Sequence, residues 1–216
     1  MASEVRRSNR EAERGSAPAS DDNPPLITGR YLFLRRSFGE LSDFALACGY
    51  AASVWTPSVL RPWPARCPLR RKLGFLFRAA LSIAGLECGA ICIYWERRII
   101  HYSAFSSRYW RFPFMSGEDL QIGGTWTDPE HRGKGLAQFA IRQILKLKRK
   151  PGRNFWYCVE EHNSPSVQVA RRTGFEIVAQ GVWRKPLGLK LFGSYVPDIS
   201  ATPPDHEPAA TPAHPN

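Results

Sequence analysis

The chain has 216 residues, a formal net charge of +11 at neutral pH and a pI near 9.8, enough length for one domain of ordinary size with a buried core. Its basic balance favours polyanionic ligands: coenzyme or nucleotide phosphates, nucleic acid, or an anionic membrane face. Five cysteines form an odd set without zinc-type pairing, and the start of the chain is charged rather than apolar. Neither a metal site, nor a disulfide framework, nor a secretory signal is therefore expected, and reduced thiols in a cytoplasmic protein are.

Residues 1–25 are polar and charged, and 198–216 hold five prolines among small and acidic residues. Both read as disordered tails around one domain at 26–197. That domain keeps 26 Lys and Arg against 11 Asp and Glu, a net of +15. The first predicted strand is Gly29-Arg-Tyr-Leu-Phe-Leu-Arg35. Helices are predicted near 39–52 and 69–85, with the proline-rich stretch Pro57 to Pro68 between them. The most apolar run, Leu73 to Leu86, is fourteen residues interrupted by Arg78, too few to span a bilayer. Arg61, Arg66, Arg70, Arg71 and Lys72 lead into it, so 61–78 is a candidate for contact with a membrane surface; nucleic acid is not the expected partner.

Cys88 to Tyr94 and Ile99 to Phe105 flank a polar turn and predict a hairpin. The aromatic segment Arg108-Tyr-Trp-Arg-Phe-Pro-Phe114 is either a wall of a ligand pocket or a loop packed on the core. A strand follows over 120–127, then a helix over 134–148. On that helix Leu136, Ala137, Ala140, Ile141, Ile144, Leu145 and Leu147 make one apolar stripe. Phe155-Trp-Tyr-Cys-Val159 is apolar without alternation, as in a central strand covered on both faces. Ser164 and Pro165 suit an N-cap and first helical residue, and Gly174 suits the left-handed residue that ends a helix. A strand resumes at Phe175 to Gln180, and another is expected to begin at Val182-Trp183.

The most telling unit is Leu120 to Trp126, Thr127-Asp-Pro-Glu-His-Arg-Gly-Lys-Gly-Leu-Ala137, and the helix behind it: strand, basic glycine turn, helix. A helix N-terminus presents backbone N–H groups with no intrahelical acceptor, and its dipole is positive there. With Arg132 and Lys134 beside it, such a turn suits a pyrophosphate. Gly133 and Gly135 admit the phosphates where a Cβ would intrude. A second segment follows the next strand: Asn163, Ser166, then Gly174-Phe175.

Together these segments resemble the GNAT superfamily of acetyl-CoA-dependent N-acetyltransferases. Arg132, Gly135 and Ala137 match its Arg/Gln-x-x-Gly-x-Gly/Ala signature, and Asn163, Ser166, Gly174 and Phe175 match its second. The resemblance implies an α/β fold whose mixed central β-sheet is flanked by helices, with the two strands carrying the motifs splayed apart. It implies acetyl-CoA as acyl donor, used without a metal, and a small-molecule primary amine as acceptor. Backbone groups of Trp126 and Thr127 would hold the pantetheine and the acyl carbonyl. The stretch Arg132, Gly133, Lys134, Gly135, Leu136 and Ala137 would hold the pyrophosphate. Asn163 would face the pantetheine arm, cap the following helix, or both.

Acyl transfer also needs a proton donor for the leaving thiolate and a base for the amine. The family's usual tyrosine donor falls at Ala170 here, so Tyr157, Tyr102 or a water would have to substitute. Glu160, at the end of its strand, and His101, on the hairpin, are the base candidates, with Glu161 and His162 behind them. The domain's charge points to a neutral or anionic acceptor. The chain is similar to small members of the family tied to bacterial surface-polysaccharide synthesis, which implies an amino sugar. Two rival readings remain: a CoA-binding module that has lost catalysis, and a basic protein that binds nucleic acid or membrane.

Overall fold

The computed structural model describes residues 29–37, 39–185 and 192–198, so the expected tails lie outside the described residues except for Asp198. Eight strands form one sheet: β1 (Arg30–Arg36), β2 (Ala51–Trp55), β3 (Cys88–Trp95), β4 (Arg98–Ser107), β5 (Leu120–Thr127), β6 (Phe155–Glu160), β7 (Glu176–Arg184) and β8 (Ser194–Asp198). Three α-helices accompany them: α1 (Leu69–Ile83), α2 (Leu136–Leu147) and α3 (Ser164–Arg172). Among the described residues no helix is long and apolar enough to cross a membrane.

The strand order is β2-β3-β4-β5-β6-β1-β7-β8. β3 and β4 are the expected hairpin, closed by Glu96 and Arg97, both at positive φ. β1 runs antiparallel between β6 and β7, so the first strand in sequence joins two strands from the far end of the domain. Phe33 and Leu34 are fully buried there.

The sheet separates two cores. On one face α2 sets Leu136, Ala140, Ile141, Ile144 and Leu145 against Ile91, Ile93, Ile122 and Phe155. This is the expected stripe, with two corrections: Ala137 is only half-buried and lies outside this core, and Leu147, at the helix end, is 55% exposed. On the other face α1 packs Phe75 against Trp55, Cys92 and Ala104.

The helix expected over 39–52 is not formed. Residues 39–47 are extended or irregular, and 51–55 is the edge strand β2. Tertiary anchors replace the helical hydrogen bonds: Leu41 and Leu46 pack on the α2 core, and Arg142 donates to the Ser42 carbonyl at 2.8 Å. Asp43 pairs with Lys146. The segment lies along the polar side of α2, and docking overrides local propensity there. Three smaller corrections apply. Asn163, not Ser164, caps α3, and Pro165 takes the second helical position. Val182 and Trp183 continue β7 rather than starting a strand. β8 was not expected.

Among the described residues β5 and β6 are the only parallel neighbours, and they pair only at Leu120–Phe155 and Gln121–Trp156. Asp119 fastens that short contact, accepting from Trp156 Nε1 at 2.8 Å and from the Asn154 and Ser116 amides, each at 3.1 Å. Burial opposes its charge, but those hydrogen bonds outweigh it and hold the carboxyl below its ordinary pKa. Beyond this clasp the strands splay.

Candidate active site

A β-bulge decides what faces the split. β4 and β5 shift register between Tyr102 and Ala104, with Gly124 at φ +60. Before the bulge Leu120 and Ile122 point to the α2 core. After it the alternation is rephased, so Thr125 and Thr127 take the α2 side while Trp126 lies on the α1 side beside Tyr102.

The opening between the splayed strands is a cavity of about 740 Å³. It collects the expected residues from three separate segments: Trp126 and Thr127 from the end of β5, the run 132–137 entering α2, and Asn163 before α3. Tyr157 of β6 closes it. Gly133 and Gly135 both sit at φ +74, and Gly135 is the left-handed N-cap of α2. The first helical bond runs from the Phe139 N–H to the Gly135 carbonyl, which leaves the N–H groups of Leu136, Ala137 and Gln138 ahead of it. Arg132 and Lys134 are exposed on either side of Gly133. Among the described residues no Asp or Glu lines the cavity. Its geometry suits an elongated anionic ligand, with phosphates on the α2 amides and an uncharged arm passing between β5 and β6.

Asn163 both caps and lines: its side chain accepts from the Ser166 amide at 3.3 Å, and the residue borders the cavity. Gly174 has φ +81, and the Phe175 N–H bonds the Ala170 carbonyl, closing α3 as expected. Ala170 itself is fully buried in the α2-side core.

Tyr157 is nearly buried, and its hydroxyl reaches the side chains of Thr125 and Ser166. Burial raises its pKa, and those two partners moderate the rise. Ser166 stands one helical turn before Ala170, so this hydroxyl enters the site where α3 offers no tyrosine.

The two base candidates lie elsewhere. His101 is 0% exposed behind the cavity wall, with Nδ1 2.8 Å from Thr127 Oγ1 and Nε2 3.0 Å from Ser103 Oγ. Burial lowers its pKa from 6.5 to about 3, so the ring is neutral. Ser103 in turn meets Thr125 at 3.2 Å, linking His101 to Tyr157 through two hydroxyls. Glu160 is exposed on the opposite face of β6, accepts from Tyr31 at 3.1 Å and pairs with His162 at 3.2 Å. Neither residue lines the cavity.

Sequence reasoning missed Phe44, Thr125 and Arg172 in the wall. Phe44 comes from the segment misread as helix. Thr125 was hidden by the bulge, which breaks simple alternation. Arg172 carries only the weak signal of a basic residue at a helix end. The aromatic segment packs in part on the core: Phe112 stacks on Tyr195 at 5.4 Å, and Phe114 meets Phe33 and Trp156.

The acetyltransferase (GNAT) family matches residues 57–175, more than half of the chain. The chain belongs to the GNAT family. Its mixed sheet with splayed strands and flanking helices is the GNAT fold. It is similar to a GNAT-family protein from Novosphingobium aromaticivorans, at 17% identity over 70% of this chain and 61% of that one, with a TM-score of 0.46. A GCN5-related N-acetyltransferase from Kribbella flavida matches at 18% identity over 72% of this chain and 57% of that one, with a TM-score of 0.44. yncA of Salmonella typhimurium, solved with its cofactor acetyl-CoA, matches at 18% over 48% of this chain and 58% of that one, with a TM-score of 0.39. The chain thus spans about three-fifths of the length of these solved structures. No protein of curated function matches it.

Proposed function

We propose that this GNAT protein is an N-acetyltransferase that passes an acetyl group from acetyl-CoA to a primary amine. The observation that carries the reading is the convergence of Trp126–Thr127, 132–137 and Asn163 on one cavity at the β5–β6 split. The residues fit the cofactor: an amide-rich helix end flanked by Arg132 and Lys134 for the pyrophosphate, and a passage between strand backbones for the pantetheine.

Acetyl-CoA supplies a thioester that the amine attacks. The new C–N bond forms, the C–S bond breaks, and the thiolate takes a proton as it leaves. Backbone amides at the end of β5 orient the acyl carbonyl. Tyr157 is the donor for the thiolate: its raised pKa keeps the phenol protonated, and Thr125 and Ser166 aim it. Glu160, exposed at the end of β6 and outside the cavity, takes the amine's proton through water rather than by direct contact. His101 holds Thr127 and the hydroxyl chain in place rather than taking a proton from solvent. The acceptor is neutral or anionic, and an amino sugar fits.

The test is thiol release from acetyl-CoA across a panel of amines, with mass spectrometry of the product. Acetyl-CoA binding without turnover of any amine would favour the non-catalytic CoA-binding module.

The outer side of α1 supports a second contact, with an anionic membrane surface. Leu69, Leu73 and Ile83 are 81%, 78% and 69% exposed along one helix side, with Leu60 at 93% just before. Arg61, Arg66, Arg70 and Lys72 surround them, a pairing of apolar and cationic groups suited to an anionic lipid interface. Co-sedimentation with phosphatidylserine vesicles, weakened in Leu69→Ser/Leu73→Ser and not reproduced by phosphatidylcholine, is the expected result. Equal retention by both lipids removes this reading.

A further inference from the structure

The face of β5 turned away from the cavity carries a cluster that CoA binding does not use. Arg71 and Arg78 sit two turns apart on the inner side of α1. The Arg71 guanidinium stacks 3.6 Å above the Trp126 ring, and its Nη1 donates to the Tyr102 hydroxyl at 3.1 Å. The Arg78 guanidinium occupies the space beside the bulge: a Cβ on Gly124 would come within 2.4 Å of its Nη2. Gly124 therefore admits this cation as well as the turn. Arg78 is half-buried by surface area, but its charged end lies among Tyr109, Tyr102, Cys88 and Arg111, where desolvation lowers its pKa. Arg111 arrives from the aromatic segment, lies 5.2 Å from the Trp183 ring centroid and reaches Tyr109.

Arg71 and Arg78 thus share Tyr102 as a neighbour, and Arg111 lies beside Arg78, with no carboxylate of the described residues paired to any of the three. Among the described residues, none of the ion pairs includes Arg71, Arg78 or Arg111. The Nε atoms of Arg71 and Arg111 are buried without a hydrogen-bond partner. Bringing like charges together and removing them from water is costly, and an unfilled buried donor adds to that cost. An anion seated between them would offset both. The place also matters. Gly124 and Trp126 belong to the same strand end whose neighbours Thr125 and Thr127 face the cavity, and the β5–β6 hydrogen bonds stop at Gln121–Trp156. The split joins the two faces, so a ligand held here meets the acyl group from the side opposite the coenzyme.

We infer that Arg71, Arg78 and Arg111, with the Tyr102 and Tyr109 hydroxyls, form an oxyanion subsite for the acceptor. The acceptor is a primary amine whose molecule also carries a carboxylate or a phosphate. This rests on the acetyltransferase reading and narrows its acceptor class. Arginine forks bind either anion through paired N–H donors, and Trp126 backs the Arg71 fork so that its edge, not its face, is offered.

The test uses the full chain and matched acceptors: glucosamine 6-phosphate against glucosamine, and phenylalanine against phenethylamine. In each pair the anionic member should have a kcat/KM higher by at least about tenfold. Arg71→Gln should remove that preference through a raised KM, and Arg71→Lys should restore part of it, with CoA affinity unchanged in both. Calorimetric titration of inorganic phosphate and glucosamine 6-phosphate into the CoA-loaded protein supplies a readout without turnover. Arg71 is partly buried, so its variants are checked for folding by their melting curves, and Arg78→Gln, checked in the same way, is the second variant. Equal kcat/KM within both pairs overturns the subsite. So does anion binding that is absent from the wild type or unaltered in Arg71→Gln. If no acceptor turns over but anion binding still depends on Arg71, the subsite stands and the acetyltransferase reading falls.

Discussion

The two sides of β5 are built by different means. On the α2 side the cavity is made mostly of backbone: a helix N-terminus, two glycines at positive φ and a strand end, supplied largely by the continuous stretch 125–138. On the α1 side the cluster is made of side chains, from residues 71, 78, 102, 109, 111 and 126, that meet only when a helix, a hairpin and a loop are packed. A backbone site tolerates side-chain change but not loss of conformation. A side-chain site responds to single truncations.

That contrast breaks most sharply at Gly135. Its φ is +74, and a Cβ would lie 2.9 Å from the Phe44 ring. Gly135→Asp adds strain, a clash and a negative charge at the proposed pyrophosphate position. Acetyl-CoA affinity should fall by at least about 100-fold, read by calorimetry, and the thermal stabilisation by ligand should vanish. Unchanged affinity would remove this turn from the cofactor site.

Tyr157→Phe tests the one side chain assigned to chemistry on the cavity side. A general acid contributes on the order of 100-fold or more, so kcat should drop by about that much while the KM for acetyl-CoA holds. Tyr102→Phe, on the arginine side, should leave the basic limb of the pH–rate profile alone. If both variants keep wild-type kcat and pH dependence, water is the donor.

Ala170→Tyr sharpens the comparison by inserting the family's usual tyrosine. Ala170 is fully buried among core residues, so overpacking should cost about 1–3 kcal/mol, seen as a lower denaturation midpoint, without a gain in kcat. A rise in kcat would show that the site still has room for the usual donor.

His101 ties the hydroxyl chain to stability. Its pKa falls from 6.5 to about 3 in the folded protein through burial, so from pH 6.5 downward the unfolded chain takes up a proton that the native state refuses. Stability from this group is complete above pH 6.5 and is lost progressively as pH falls toward 3. Urea midpoints should decline over that window in the wild type and decline less in His101→Gln.

Arg132→Ala should do least. Its side chain is exposed, and the proposed phosphate contacts are mainly backbone, so acetyl-CoA affinity should fall by roughly threefold to tenfold. A loss as large as that in Gly135→Asp would make the site a side-chain site after all.

What could be read from the sequence follows the same division. The strand–turn–helix at 120–148 and the strand–helix–turn at 154–175 are local units whose caps, glycines and periodicity sit within a few residues of what they control. The hairpin 88–105 was legible for the same reason. The segment 39–52 was misread because its shape depends on Arg142 and Lys146, which follow it by about a hundred positions. β8 escaped because its pairing with β7 is its main determinant. Glu160 and His101 were chosen by chain position and reference pKa, and neither reveals which face of a strand is buried. Strand alternation alone also misplaces Thr125, since one extra residue at Gly124 reverses every side chain after it.

The sequence by itself determined the glycine turn that opens α2, since glycine conformations and a helix end are properties of a few adjacent residues. It also determined the absence of the usual tyrosine. Only the tertiary structure decided that Tyr157 stands in the cavity and that His101 is sealed and neutral. It alone brought Arg71, Arg78 and Arg111 together without a counter-charge. Burial and convergence depend on which distant elements share a face, and the β5 bulge with the insertion of β1 set that for this chain.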